Sequence, residues 1–233
     1  MILSERSHSH LLAHHGDFAH FAQLMVDTHQ RRFDPVFWGF VEKHLGRDAS
    51  EVKQVVDLGT GPALLLPDLA ERYTHARVAG VEAQPEMLAR ARDILEALRE
   101  EKPTVVERLQ LVHQDLHQPP LQGLEDHCAD LVVSSMVVHE LLNPTVFMDE
   151  VVRLLKPGGV LIVYDWVRQP LRSYFDDERP TTLDQFTHFS EHCRYTPEDV
   201  AWLFQASGLE VKEWMARHNG RHALFAAQLP VSD

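Results

Sequence analysis

The chain has 233 residues, 44% of them hydrophobic, enough to bury one sizeable core. Its 22 lysines and arginines stand against 35 aspartates and glutamates, so a net charge of −13 repels nucleic-acid phosphates and anionic membranes, and no basic run offsets it locally. The opening MILSERSHSHLL has no basic stretch followed by an apolar one, no apolar run approaches the roughly 18 residues of a membrane span, and Cys128 and Cys193 make no metal-ligand spacing, so an acidic, soluble, cytoplasmic protein with reduced thiols is expected.

The first 46 residues read as helical. Phe18, Phe21, Leu24, Met25 and Thr28 fall at helical spacing, and a second apolar face after Pro35 carries Phe37, Phe40, Val41 and Leu45, with Gly46 as its C-cap. From Val52 the pattern changes to short β-branched runs alternating with longer amphipathic segments. Strands are predicted over 52–58, 77–82, 109–114, 130–135 and 159–165, and helices over 62–73, 85–101 and 143–156, with a weak turn near 119–127. That alternation indicates a parallel sheet covered on both faces. An irregular segment, 168–195, follows the fifth strand. TPEDVAWLFQASG then predicts a helix with Thr196 as N-cap, Pro197 at its first position and Gly208 past its end. Two last strands flank Asn219-Gly220, a hairpin signal, giving an α/β sheet with one antiparallel edge strand. The expected organisation is a helical cap over 1–50 and a main domain over 51–233 with an insertion at 168–195. The histidines at 8, 10, 14 and 15 read as a solvated tail rather than a metal site.

The stretch VVDLGTGPALLL, residues 55–66, interrupts a buried strand with Asp57, Gly59 and Gly61 before a helix begins. Glycines weaken a strand and contribute no packing, so their use here is to let something approach the backbone. A strand ending in such a turn offers N–H groups to a cofactor. The next strand ends at Glu82, 25 residues after Asp57, where a carboxylate can accept from two ribose hydroxyls. NAD-binding proteins share these features, and so does a plain tight turn with an incidental acid.

Three more segments narrow the choice: LVHQDL ends strand three at Asp115, ADLVVSSMVVHELL covers the end of strand four, and VVRLLKPGGVLIVYDW leads into strand five. Taken in order with VVDLGTGPA and VAGVEAQPEML, they resemble the class I S-adenosylmethionine-dependent methyltransferases over about residues 52–229. The resemblance implies a Rossmann-like, mostly parallel sheet with an antiparallel C-terminal hairpin strand, S-adenosylmethionine as cofactor and S-adenosylhomocysteine as product. By the same resemblance Asp57, Gly59 and Gly61 line the methionine portion, Glu82 holds the ribose, and Gln84 and Met87 flank ribose and adenine. Asp115 accepts from the adenine amino group, Leu116 packs on the ring, and Ser134 and the backbone that follows it close the far side. Ala63 stands at the third small position of the glycine motif. The cofactor is already activated, so positioning and desolvation matter more than a catalytic triad.

For the acceptor, the Asp/Asn-Pro-Pro-aromatic run of the nucleobase aminomethyltransferases is replaced by SSMVVHEL, which with the acidic charge argues against DNA or RNA. HELLN fails as a zinc-peptidase motif because Asn143 stands where the second histidine is required. Small-molecule members cover the cofactor with N-terminal helices and an insertion after strand five. Here those segments supply Phe33, Phe37 and Trp38, then Tyr164, Asp165, Trp166, Arg168, Tyr174 and Phe186, although ordinary packing also accounts for any single aromatic. Asp165 and Arg168 lie at a C-terminal strand end, where open α/β sheets bind ligands. His139, Glu140 and Asn143 follow strand four beside the expected methyl position, where His139 is either a base or hydrogen-bond partner, or a satisfied surface histidine. A finer resemblance joins MVDTHQRRFDPVFWGF and YDWVRQPLRSY to the methyltransferase of ovothiol-type biosynthesis, which methylates an imidazole nitrogen of a thio- or selenohistidine. It implies that Asp165 and Arg168 meet the ammonium and carboxylate of that substrate. An aminopropyl transferase using Asp176, Asp177 and Glu178, and a cofactor-binding protein without turnover, stay open. Oligomeric state is not legible.

Overall fold

The computed structural model describes residues 18–169, 193–218 and 220–231. Seven strands form one sheet in the order β3-β2-β1-β4-β5-β7-β6. They are β1 (Gln54–Leu58), β2 (Arg77–Glu82), β3 (Leu109–His113), β4 (Ala129–Ser135), β5 (Leu155–Trp166), β6 (Glu210–Arg217) and β7 (His222–Gln228). The first five run parallel, and β7 runs antiparallel to both β5 and β6. The order reverses between β1 and β4, which opens a crevice beyond their carboxyl ends.

Alternate residues of the buried strands feed two cores. Val55, Leu131, Ile162 and Tyr164 pack on one face under helices α2 (Pro35–Leu45), α3 (Leu65–Arg72) and α4 (Pro85–Glu101). Val56, Val132, Leu161 and Val163 pack on the other under α6 (Pro144–Leu154) and α7 (Pro197–Ala206). A short α5 (Pro103–Val106) follows α4, and α1 (Phe18–Arg32) precedes α2. The α1–α2 corner is set by Asp34, whose carboxylate accepts from the Val36 and Phe37 N–H groups and pairs with Arg217 at 2.7 Å. Gly46 closes α2 in the left-handed region, φ 61°, as its position predicts. Thr196 caps α7 through the Asp199 N–H.

Three expectations are corrected. The antiparallel strand is not the edge: β7 lies inside, buried along its middle, and β6 is the edge, with exposure alternating along it. A hairpin signal fixes that two strands pair, not which one meets β5. The helix expected from 62 starts at Leu65, because Gly61 and Ala63 hold φ 58° and 59°. The fifth strand, expected over 159–165, already starts at Leu155: residues 156–159 form a bulge inside β5, where the pairing with β4 shifts register between Ala129 and Leu131. A side chain at Gly159 would lie 2.9 Å from the Ala129 carbonyl oxygen, which is why glycine stands there.

Candidate functional site

The glycine turn sits at the crevice. Gly59 and Thr60 donate their N–H groups to the Val81 carbonyl, each at 2.9 Å, tying the turn to β2. Glu82, at the end of β2, accepts from Gly61 N and Gln84 N, both at 2.8 Å, one on each carboxylate oxygen. Burial raises its pKa against these donors. A carboxylate keeps further lone pairs after two such bonds, so Glu82 retains capacity for ribose hydroxyls.

What approaches the glycines here is the protein itself. A Cβ on Gly59, at φ 78°, would lie 2.3 Å from Val137 Cγ2, and one on Gly61 would lie 2.8 Å from Met25 Cε. Gly59 is therefore required by the fold itself.

A cavity opens beside the turn. Asp57, Gly59, Thr60 and Ser135 line it from the strand ends, and Met25, Arg32 and Phe33 line it from α1 and its exit. Asp57 is 2% exposed. Burial pushes its carboxyl up to about 7, with the Glu82 carboxylate adding to the rise and the Arg32 guanidinium opposing it. The Thr60 hydroxyl lies beside Asp57 but outside hydrogen-bonding geometry. Three buried polar atoms on this one wall, Arg32 Nε, Thr60 Oγ1 and Ser135 Oγ, have no hydrogen-bond partner. Unpaired buried polar atoms are costly, so their convergence fits a polar ligand. An S-adenosylmethionine amino-acid end suits these groups, with Asp57 for its ammonium.

Ser134 is corrected to its neighbour. It is fully buried and donates its hydroxyl to the Leu58 carbonyl at 3.0 Å, while Ser135 lines the cavity, because successive strand residues point to opposite faces. Of the residues expected to flank the adenosine, Gln84 and Met87 are buried, and Met87 packs with Ala22 and Met25 of α1. Asp115 accepts from His117 N and His117 Nδ1 on the same oxygen, both at 2.9 Å. Burial would raise its pKa, but the His117 donors hold it below the usual range. Leu116 is buried beside it.

The acceptor-side expectations change most. Asp165, 1% exposed, spends one oxygen on the N–H groups of Val138 at 2.6 Å, Val137 at 3.2 Å and His139 at 3.3 Å. The other accepts from Trp166 N at 2.7 Å and meets His139 Nδ1. It is occupied by its own chain and not presented to a substrate ammonium. His139, 7% exposed, has its Nε2 3.3 Å from the buried Glu140 carboxylate. Burial alone would lower its pKa, but the two carboxylates win and raise it to about 10. Both carboxylates thus favour the imidazolium, and of the two roles the sequence offered for His139, base or hydrogen-bond partner, the contacts favour the second. Arg194 fixes the same turn by donating to the carbonyls of His139 at 2.7 Å and Leu141 at 3.2 Å.

Other candidates scatter. Phe33 lines the cavity. Trp38 lies 4.3 Å from Arg72, at the far end of α3 from the glycine turn. Tyr164, 1% exposed, packs between Phe37 and His222 as core. Asn143 turns to the Thr145 hydroxyl at the start of α6, and Arg168 is exposed beyond β5. Tyr174, Phe186 and the acidic run at 176–178 lie outside the described residues. Sequence reasoning missed Arg32, Thr60 and Ser135. Thr60 carried a signal, standing between the two glycines; Arg32 carried none beyond its place beside Phe33.

Comparison with known proteins agrees with this geometry. The profile of a family described as a methyltransferase domain matches residues 56–163. A probable S-adenosylmethionine-dependent methyltransferase of Mycolicibacterium smegmatis is 28% identical, the match covering 87% of this chain and 72% of that one. Trans-aconitate 2-methyltransferase of Azoarcus sp. strain BH72 is 33% identical over 47% of this chain and 37% of its own length, so the match reaches well under half of that protein. Among solved structures, a SAM-dependent methyltransferase from Aquifex aeolicus superposes with a TM-score of 0.68 at 22% identity, covering 91% of this chain and 98% of that one. Among the described residues no helix is long and apolar enough to cross a membrane.

Proposed function

We propose that this S-adenosylmethionine-dependent methyltransferase acts on a small molecule whose attacking atom needs no proton removed by the protein. Carboxylates, thiolates and neutral ring nitrogens form that class; the imidazole nitrogen of a thio- or selenohistidine is one member. The observation that carries the proposal is the clamp on His139: its Nδ1 meets Asp165 and its Nε2 lies 3.3 Å from Glu140, so both ring nitrogens face carboxylates that favour the protonated form, and neither is presented to an acceptor's proton. A second histidine at the carboxyl end of β5, His222, is pushed by burial down to about 3, too weak a base to help at neutral pH. Trans-aconitate, named for one relative, is a polycarboxylate and fits the class. The net charge of −13 favours a small acceptor over a nucleic acid.

When bound, the cofactor supplies a methyl group on a sulfonium, an electrophile that requires no further activation. The chain's part is to hold and exclude. Asp57 takes the ammonium, Glu82 the ribose hydroxyls and Asp115 the adenine amino group. Gln84, Met87 and Leu116 remove the adenosine from water. The Asp165–His139 clamp keeps the turn after β4 in one conformation beside Gly59, so an acceptor meets a fixed wall.

The test is transfer of a labelled methyl group to a panel of carboxylates, thiols, histidine derivatives, catechols and polyamines, with the product identified. Turnover within the first three groups is expected. Turnover confined to catechols or polyamines would overturn the proposal.

A further inference from the structure

We propose that Arg32 binds the carboxylate of the cofactor's amino-acid end, opposite Asp57, so that α1 supplies half of that subsite. The inference rests on the S-adenosylmethionine assignment and adds a residue to it.

Arg32 ends α1 and turns its guanidinium back into the cavity beside the glycine turn. One nitrogen, Nη2, donates to the Met25 carbonyl at 3.0 Å, and the group lies 5.4 Å from the Phe33 ring centroid. Nε is buried and has no hydrogen-bond partner. No carboxylate among the described residues pairs with it; Asp57 acts on it electrostatically across the cavity without a direct ion pair. A half-buried guanidinium stays charged, and leaving such a cation unpaired is costly.

The chemistry of the missing partner follows from the wall. A buried acid and a guanidinium face one space, with two orphaned hydroxyls, Thr60 Oγ1 and Ser135 Oγ, between the strand ends. An α-amino acid carries one charge of each sign on a single carbon and so satisfies both groups at once. A free anion would satisfy Arg32 alone. The arginine fork matches a carboxylate in a way that a lysine cannot. The roof is fastened at both ends: His29 of α1 meets Asp68 of α3 at 2.7 Å, and Ala22 and Met25 pack on Met87 of α4. Arg32 is therefore held over the cavity by its own helix.

Calorimetry with two ligands isolates the subsite. S-adenosylhomocysteine carries the amino-acid end; 5′-methylthioadenosine has the same adenosine and thioether without it. Arg32→Met, which keeps the apolar stem, and Arg32→Ala are expected to weaken S-adenosylhomocysteine roughly tenfold to hundredfold. Both should leave 5′-methylthioadenosine within about twofold, with Arg32→Lys intermediate for the first ligand. Equal losses for the two ligands would make Arg32 a structural roof and overturn the proposal. So would unchanged S-adenosylhomocysteine affinity in Arg32→Met, including the case where only an acceptor KM rises. Failure of the wild-type chain to bind S-adenosylhomocysteine would overturn the cofactor assignment itself, and the Arg32 role with it.

Discussion

Asp165 and His139 are joined twice: one carboxylate oxygen meets the imidazole Nδ1, and the other accepts the His139 backbone N–H at 3.3 Å. The side chain at the end of β5 thereby fixes both the conformation and the charge of the turn after β4. Removing Asp165 strands the imidazolium and several N–H groups. Asp165→Ala is expected to destabilise the fold by roughly 3–5 kcal/mol, as when one partner of a buried pair is lost. Urea unfolding measures it; a loss below about 1 kcal/mol would show that the turn does not depend on this carboxylate.

The pH dependence of stability has a definite sign. The His139 pKa in the folded protein, about 10, lies above its ordinary 6.5. The clamp therefore contributes fully below about pH 6.5 and loses its contribution as pH rises towards 10. Wild type should lose more stability over that interval than His139→Gln. Parallel curves for the two would mean that His139 is not charged in the fold.

Gly59 and Gly61 should part company on substitution. Both hold positive φ, which costs a non-glycine residue roughly 1–2 kcal/mol. At Gly59 the new Cβ also strikes Val137, a stiff β-branched side chain, whereas at Gly61 it meets the flexible end of Met25. Gly59→Ala is expected to be the more destabilising, and Val137→Ala to recover part of its loss in a double-mutant cycle. Additive single effects would deny the contact.

How far the sequence reached is set by what each signal encodes. The parallel strands and the glycine turn were legible because short β-branched runs and the Asp57–Gly61 pattern are local. Glu82 could be placed because it ends the next strand. Ser134 and Ser135 could not be separated, since one residue of register decides which faces the cavity. Asp165 and His139 were both visible as strand-end polar residues. Their partnership was not, because it depends on the β4–β5 pairing that brings residues 26 positions apart together. Arg32 was hidden for a similar reason: its role comes from where α1 lands.

Paired with the cofactor's ammonium as proposed, Asp57 would give binding its own pH dependence. Its carboxyl must be ionised to pair with an ammonium, and in the free protein burial holds it at about 7. Affinity for S-adenosylhomocysteine should therefore fall as pH drops below 7, by up to about tenfold per unit, and binding there should release a proton. Asp57→Asn should bind more weakly and lose this slope. Wild-type affinity that stays level from about pH 8 to 5.5 would show that Asp57 does not meet the ammonium.

Methyl transfer at saturating cofactor to a carboxylate acceptor, followed from about pH 6 to 9, asks whether the protein supplies a base. With His139 held as a cation and the acceptor ionised throughout, kcat should stay level within about twofold across the range, and His139→Gln should keep the same flat profile. A wild-type kcat that climbs through an ionisation in this range, with the climb abolished in His139→Gln, would contradict a transferase that leaves proton removal to its substrate.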